Sequence, residues 1–228
     1  MKLPDFVQQN NKSEQIIKDL KEDCIKRSKD NHASVISPSH ITECLRRMYY
    51  RLNWQETSNY AEYTDLVHHQ CAVEKWATYF SKCNKIILVD KDILVAHSNY
   101  NLSGTVDHYI ESKGYKYAVK IKQVPSADFK IIKKGGPKRK HVIETIVYLW
   151  LSEFEDGLLV YEDNDTQEYD IYHIISYEPI IKTVKSKCRR LINHKMRGVA
   201  PPRITGDNAE RECSICEYSY VCLKQEKK

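Results

Sequence analysis

The chain is 228 residues long and 41% apolar, enough for one substantial core and too short for two independent globular domains. Its formal net charge of +5 excludes a uniformly basic field, so any grip on phosphates must come from clustered Lys and Arg. No stretch approaches the roughly 20 apolar residues that span a bilayer, and the N-terminus lacks the apolar core of a secretory signal; a soluble, cytoplasmic protein with no membrane partner is expected.

Taken in chain order, residues 1–31 are polar, with Ile16, Ile17, Leu20 and Cys24 at helical spacing from Ser13 onward, which predicts an amphipathic helix in an N-terminal arm over 1–36. Ser37-Pro38-Ser39 opens a helix over His40 to Leu52, and a third helix over Tyr63 to Phe80 carries His68 and His69. Ile86–Val89 and Ile93–Ala96 flank Asp90-Lys91-Asp92 as the strands of a hairpin would. Two strands, Gly104–Ile110 and Tyr115–Val124, follow across a turn ending in Gly114, where a positive φ costs glycine little. A basic loop over 133–140 then feeds a helix from His141 to Phe154. Strands at Leu158–Glu162 and Tyr169–Ile174 and a helix from Pro179 to Met196 complete the order. This alternation predicts an α/β fold with a mixed sheet, a core over 37–200 and a terminal segment over 201–228.

Eight cysteines in a reducing compartment point to metal ligation rather than disulfides wherever their spacing is regular. Cys213, Cys216 and Cys222 form C-x2-C-x5-C, and Cys44, far away in sequence, is the best fourth ligand. Four thiolates suit zinc or an iron-sulfur cluster alike. Cys24, Cys71, Cys83 and Cys188 fall in amphipathic patterns and are expected to be buried thiols.

Asp107 closes Gly104-Thr105-Val106-Asp107, and the next strand holds Lys120-Ile121-Lys122. An acid and a lysine on neighbouring strands can meet at one end of a sheet, the acid to bind a dication and the lysine to orient an attacking water. Taken alone, such a pair on a hairpin is more often solvated.

The order of Cys44 with its nearby Arg and Tyr, the helical His68, Asp107, Lys122, the helix carrying Tyr148 and the terminal cysteines resembles the RecB-like nucleases of the PD-(D/E)XK superfamily. Within them it is most similar to the iron-sulfur exonucleases associated with CRISPR adaptation and to their phage and archaeal-virus relatives. The resemblance implies a restriction-endonuclease-like mixed sheet flanked by helices, a [4Fe-4S] cluster on Cys44, Cys213, Cys216 and Cys222, and DNA cleavage with Mg²⁺ or Mn²⁺. It assigns the metal to His68 and Asp107, with His69 a lesser substitute for His68, and catalysis to Asp107, Lys122 and Tyr148. The implied partners are DNA and proteins of CRISPR adaptation or recombination, in the host cytoplasm for a viral member.

Two positions depart from the family pattern. Lys120 stands where the motif has Glu, and Glu144 stands where a Gln precedes the helical tyrosine. A lysine cannot ligate Mg²⁺, and its charge opposes cation binding. Either Glu144 is the migrated metal ligand and catalytic acid, or Lys120 and Glu144 pair in a disabled site that leaves a nucleic-acid-binding or adaptor protein. Lys138, Arg139 and Lys140 in the basic loop are the candidate DNA contacts.

Overall fold

A computed structural model of the chain describes residues 35–53, 60–206 and 209–224 together with Lys18. The chain divides into two compact units, one of residues 1–33 and 55–68 and one of residues 34–54 and 69–228. Lys18 and residues 60–68, all helical, are the described part of the first. The predicted helix from Ser13 onward, apart from Lys18, lies outside the described residues, as does Cys24.

The second unit is built on a five-stranded sheet in the order β1-β2-β3-β4-β5. The strands are β1 Ile87–His97, β2 Leu102–Ser112, β3 Tyr115–Val124, β4 Asp156–Asp163 and β5 Tyr169–Ile175. All neighbours are antiparallel except β3 and β4, which run parallel. A parallel pair needs a crossover, supplied here by α3 Ser126–Gly135 and α4 Arg139–Ser152. The other helices are α1 Leu45–Asn53, α2 Tyr60–Lys82, α5 Glu178–Arg197, α6 Ala209–Ser214 and α7 Ser219–Lys224, with a 3-10 turn at Pro38–His40.

Side chains of a strand point alternately to the two faces, and β3 shows what this does. Val119 and Ile121, fully buried, pack with Val73, Trp76 and Phe80 of α2, whereas Ala118 packs with Ile146 and Leu149 of α4. A third cluster joins Met48 and Tyr50 of α1 to Val184, Cys188 and Leu191 of α5 and to Tyr218 and Val221 near the C-terminus.

Three sequence expectations change. Residues 86–96 form no hairpin; β1 is one strand paired throughout with β2, its register shifted between Leu88 and Asp90 and Asp92 held at φ 53°. The charges that read as a turn sit on an exposed edge, where solvent accepts them. The basic segment is largely helical, because Phe129 and Ile132 bury one side of α3 and place Lys133 and Lys134 in its last turn. Cys71 is exposed and Cys83 only half-buried, since the buried face of α2 runs through Ala72, Val73, Trp76, Ala77 and Phe80. The β2–β3 turn does follow expectation, with Lys113 and Gly114 both at positive φ, 53° and 82°, the backbone of a two-residue hairpin loop.

Candidate functional site and thiol cavity

The paired register of β2 and β3 runs from Ser112–Tyr115 to His108–Val119 and stops there. Asp107 and Lys120 are therefore the first residues beyond the last pair. Its carboxylate fills the gap between the parting strands: Oδ2 accepts from the Ile121 N–H at 2.6 Å, and Oδ1 receives Lys120 Nζ. His69 Nε2 lies 3.2 Å from the same Oδ1. Asp107 is 2% exposed and Lys120 4%, so this is a desolvated ion pair rather than a surface one. Burial alone would raise the Asp107 pKa; the charge of Lys120 and the hydrogen bond from His69 outweigh it and hold the carboxyl well below the usual range.

Lys120 is held on three sides. Besides Asp107, its Nζ donates to the Thr105 carbonyl at 2.9 Å and stands 4.6 Å from the centroid of the Tyr148 ring, where the quadrupole of the aromatic face attracts a cation. Lys122, two residues on and on the same face, donates to Glu144 at 2.8 Å. Glu144 and Tyr148 lie four residues apart on α4, so both project from one side of that helix. Burial, with Glu144 and Asp107 nearby, pushes the Tyr148 hydroxyl far above its ordinary value. Gly104 makes the arrangement possible: a Cβ there would stand 2.7 Å from Tyr148 Oη and 2.8 Å from Pro38 Cδ.

The structure thus brings Asp107, Lys122, Glu144 and Tyr148 together, with a different pairing from the one expected. Lys120 pairs with Asp107 and leaves Glu144 to Lys122. The helical histidine at Asp107 is His69, while His68 is exposed; adjacent helical residues point about 100° apart, so only one can face the strand. The signal for His69 was present, since it precedes Ala72, Val73 and Trp76 by helical spacings.

A residue the sequence reading passed over sits beside the cleft. His141 Nδ1 meets the Tyr161 hydroxyl at 2.8 Å; burial, then Lys122, Lys140 and Lys138, depress its pKa to about 3, so the ring is neutral at ordinary pH. Of the expected DNA contacts, Lys138 is bridged to Asp128 at 2.6 Å, and Arg139 and Lys140 are exposed.

Cys44, Cys213, Cys216 and Cys222 line one cavity of about 490 Å³ together with Arg46, Arg47 and Arg203. All four are free and half-buried. Cys44 immediately precedes α1 and its carbonyl accepts from Met48 N–H at 3.1 Å; the other three stand on or between α6 and α7. Ion pairs close the two segments on each other: Glu217 binds Arg47 at 2.7 Å and Arg51 at 2.6 Å, and the Tyr50 and Tyr218 rings stand 5.7 Å apart. Burial raises the pKa of the Cys216 and Cys222 thiols.

Whether these sites suit metals follows from their donors. Among the described residues no group of three or more His, Cys, Asp or Glu is gathered around one point as a single ion requires. Four free thiols on one cavity wall fit an iron-sulfur cluster in donor chemistry, since a cluster takes one thiolate at each of several irons. The Asp107 cleft does not fit a dication as it stands: an ammonium and a backbone N–H engage its innermost carboxylate.

No protein-family model and no curated protein sequence matches the chain. Solved structures match its fold. The crystal structure of SSO0001 gives a TM-score of 0.58 at 19% identity, covering 90% of this chain and 96% of that one. The alkaline exonuclease LHK-Exo from Laribacter hongkongensis gives 0.56 at 14% identity, covering 76% and 93%. Its complex with dAMP gives 0.58 at 14% identity and the same coverage. The fold is therefore a mixed α/β sheet flanked by helices, similar to that of these solved structures.

Proposed function

We propose that this chain is a DNA-binding homologue of the RecB-like exonucleases that engages DNA at the cleft around Asp107 without relying on a dication. One observation carries the reading: each acid of the cleft is already neutralised by a lysine of β3, Asp107 by Lys120 and Glu144 by Lys122. A dication entering there would have to displace an ammonium from a buried carboxylate, and breaking such a pair leaves an uncompensated charge. DNA remains attractive to the surroundings, where Arg139 and Lys140 are exposed on the first turn of α4 and can replace condensed counterions along a phosphate backbone. The four thiols would hold a [4Fe-4S] cluster, whose chemistry here is a rigid cross-link between the start of α1 and the C-terminal segment. Proteins of CRISPR adaptation or of viral recombination are the partner classes this lineage supports.

A second reading, Mg²⁺- or Mn²⁺-dependent exonuclease, is favoured by the convergence of Asp107, His69, Glu144, Lys122 and Tyr148 on one cleft. It requires Lys120 to leave Asp107 and Glu144 to turn from Lys122. One experiment separates the two: labelled single- and double-stranded DNA is mixed with the protein in EDTA and in MnCl₂, and both retention and length are measured. The first reading expects binding in both buffers with unchanged length. Shortening that needs Mn²⁺ and disappears in Asp107→Ala and Glu144→Gln establishes the second.

A further inference from the structure

The formal charge of +5 is gathered on one element. Helix α5 carries four lysines and three arginines against one acid, Glu178, a net of +6, so the rest of the chain sums to −1. Two faces divide this helix. Ile181, Val184, Cys188 and Leu191 recur at helical spacing and are buried. Lys182, Ser186, Arg189, Arg190, Asn193 and Arg197 recur on the other side and are exposed. Among the described residues, no ion pair involves Lys182, Lys185, Arg189, Arg190 or Arg197. Lys187 lies between the faces and donates to the carbonyls of Ile41, at 2.8 Å, and Glu43.

We propose that this outer face of α5 is a second DNA surface, separate from the Asp107 cleft, that holds the phosphate backbone without reading bases. It rests on the reading of the chain as a DNA-binding protein and adds where the backbone lies beyond the cleft. Two of its cations are set in place by aromatic rings instead of carboxylates. Lys185 Nζ stands 4.9 Å from the centroid of Trp150; Arg189 lies 5.3 Å from that of Tyr100 and donates to its hydroxyl at 3.0 Å. Tyr100, Trp150 and His97 in turn pack on one another, with centroids 4.7, 5.1 and 5.3 Å apart. A cation over a ring keeps its full charge, whereas a carboxylate would cancel it, and a side chain already held in place loses less freedom on binding. Trp150 follows Glu144 by six residues on α4, about 120° round the helix, which sets this platform on a different side of α4 from the cleft.

The occupant follows from what the face has and lacks. From Lys182 to Asn193 its exposed residues are basic, hydroxyl or amide, the side chains that hydrogen-bond phosphate oxygens. None of the exposed residues over that stretch is apolar, whereas the fully buried core of a protein interface is more apolar than the surrounding surface. A helix lying on a membrane sinks its apolar stripe into lipid; the stripe of α5 is already buried in the core. Lys182 and Arg197 are fifteen residues apart, about 22 Å at 1.5 Å per residue, the length of about six base-pair steps of a duplex.

The test uses the full-length protein as isolated, with any cluster retained, and labelled single- and double-stranded DNA in EDTA over a series of NaCl concentrations. Lys182→Gln/Arg190→Gln/Arg197→Gln spares the two cations that pack on rings. It should lower the slope of log affinity against log salt by about 0.9 per lost contact on a duplex and about 0.7 on a single strand, with the unfolding midpoint unchanged. Lys182→Arg/Arg190→Lys/Arg197→Lys should keep the slope. So should Lys85→Gln/Lys113→Gln/Lys116→Gln, which removes the same charge from exposed positions elsewhere. A photoreactive benzoylphenylalanine in place of Ser186 should cross-link to DNA, an arm that leaves every cation present. A folded α5 variant with the original slope, an equal fall in the Lys85/Lys113/Lys116 variant, or no cross-link at position 186 overturns the proposal. Binding to phosphatidylglycerol vesicles that is lost in the α5 variant while DNA binding is untouched overturns it in favour of a membrane surface. Arg139→Gln/Lys140→Gln reports on the cleft separately. If it alone changes the slope, the α5 surface fails and the cleft reading stands; if the α5 variant alone does, the reverse holds. An unmodified chain that retains no DNA defeats both.

Discussion

Two charged regions of this molecule solve opposite problems. The cleft around Asp107 is complete in itself, with two carboxylates and two ammonium groups cancelling within the protein. The thiol cavity is held by its rim, where Glu217 ties Arg47 and Arg51 of α1 to the C-terminal segment, while its four free cysteines face the cavity. On the proposed reading, a cofactor is redundant in the first and would be held by the thiols of the second. Nearness of acids or thiols therefore says less about metal use than whether their charge and hydrogen bonding are already satisfied.

The sharpest way to break this comparison is to remove one internal partner from the cleft. Lys120→Met keeps the length of the side chain and deletes its charge, and should cost about 3–5 kcal/mol in urea unfolding, the usual penalty for orphaning a buried ion. A loss of a few tenths would mean that water already serves Asp107. Next in size is the close approach at Gly104: Gly104→Ala must push Tyr148 and Pro38 apart by several tenths of an ångström, an overpacking that typically costs about 1–3 kcal/mol. Unfolding of the variant with unchanged stability would show that Tyr148 moves freely and that its contact with Lys120 is loose.

The thiol cavity is tested by colour and composition. Protein purified without oxygen should contain iron and sulfide and absorb in the visible, and Cys44→Ser and Cys213→Ser should each lose both. Cys71→Ser, on the exposed side of α2, should lose neither. Zinc without sulfide would replace the cluster by a mononuclear site. On DNA the expected change is smaller: neutralising Arg139 and Lys140 together should reduce the slope of log affinity against log salt by about 2, close to 0.9 per phosphate contact. Lys138, engaged with Asp128, should contribute less than either.

The last test concerns pH. His141 has a folded pKa of about 3 against an ordinary value of 6.5, so below pH 6.5 the unfolded chain binds the proton the folded chain refuses. Its contribution to stability is fully present above 6.5 and is lost as pH falls toward 3. His141→Phe should flatten the dependence of unfolding free energy on pH in that window. Asp107 acts in the same direction at more acid pH, because its own folded pKa is depressed.

Much of the architecture was legible from local chemistry. The Gly114 turn located β2 and β3, the expected helices Tyr63–Phe80 and Pro179–Met196 correspond to α2 and α5, and Lys122 and Glu144 fall on facing elements. What escaped depended on partners distant in sequence. Whether Lys120 meets Glu144 or Asp107 is decided by where the β2–β3 ladder ends, after His108–Val119, and no local pattern encodes that point. The fold of α3 was missed for a different reason: Phe129 and Ile132 are its only buried apolar residues, too few to stand out against its three lysines. The choice of His69 over His68 needed the phase of α2, fixed once its buried face is known.

The irregular edge strand β1 has a consequence for how this protein behaves at high concentration. Ile87, Val89 and Leu94 are all exposed there, and an open strand carrying such residues is a template for another chain. Between them the register shifts after Leu88, Asp92 adopts a positive φ, and Asp90, Lys91 and Asp92 interrupt the apolar sequence. Lys91 is further drawn aside to Glu74 at 2.6 Å. A second strand laid along this edge would meet a kink, a misaligned ladder and two carboxylates within three residues. The segment that imitates a turn thus makes this edge a poor template for a second strand, and smoothing it, by deleting Val89 and replacing Asp92 with Thr, should increase edge-to-edge pairing, read as the oligomeric state at high concentration.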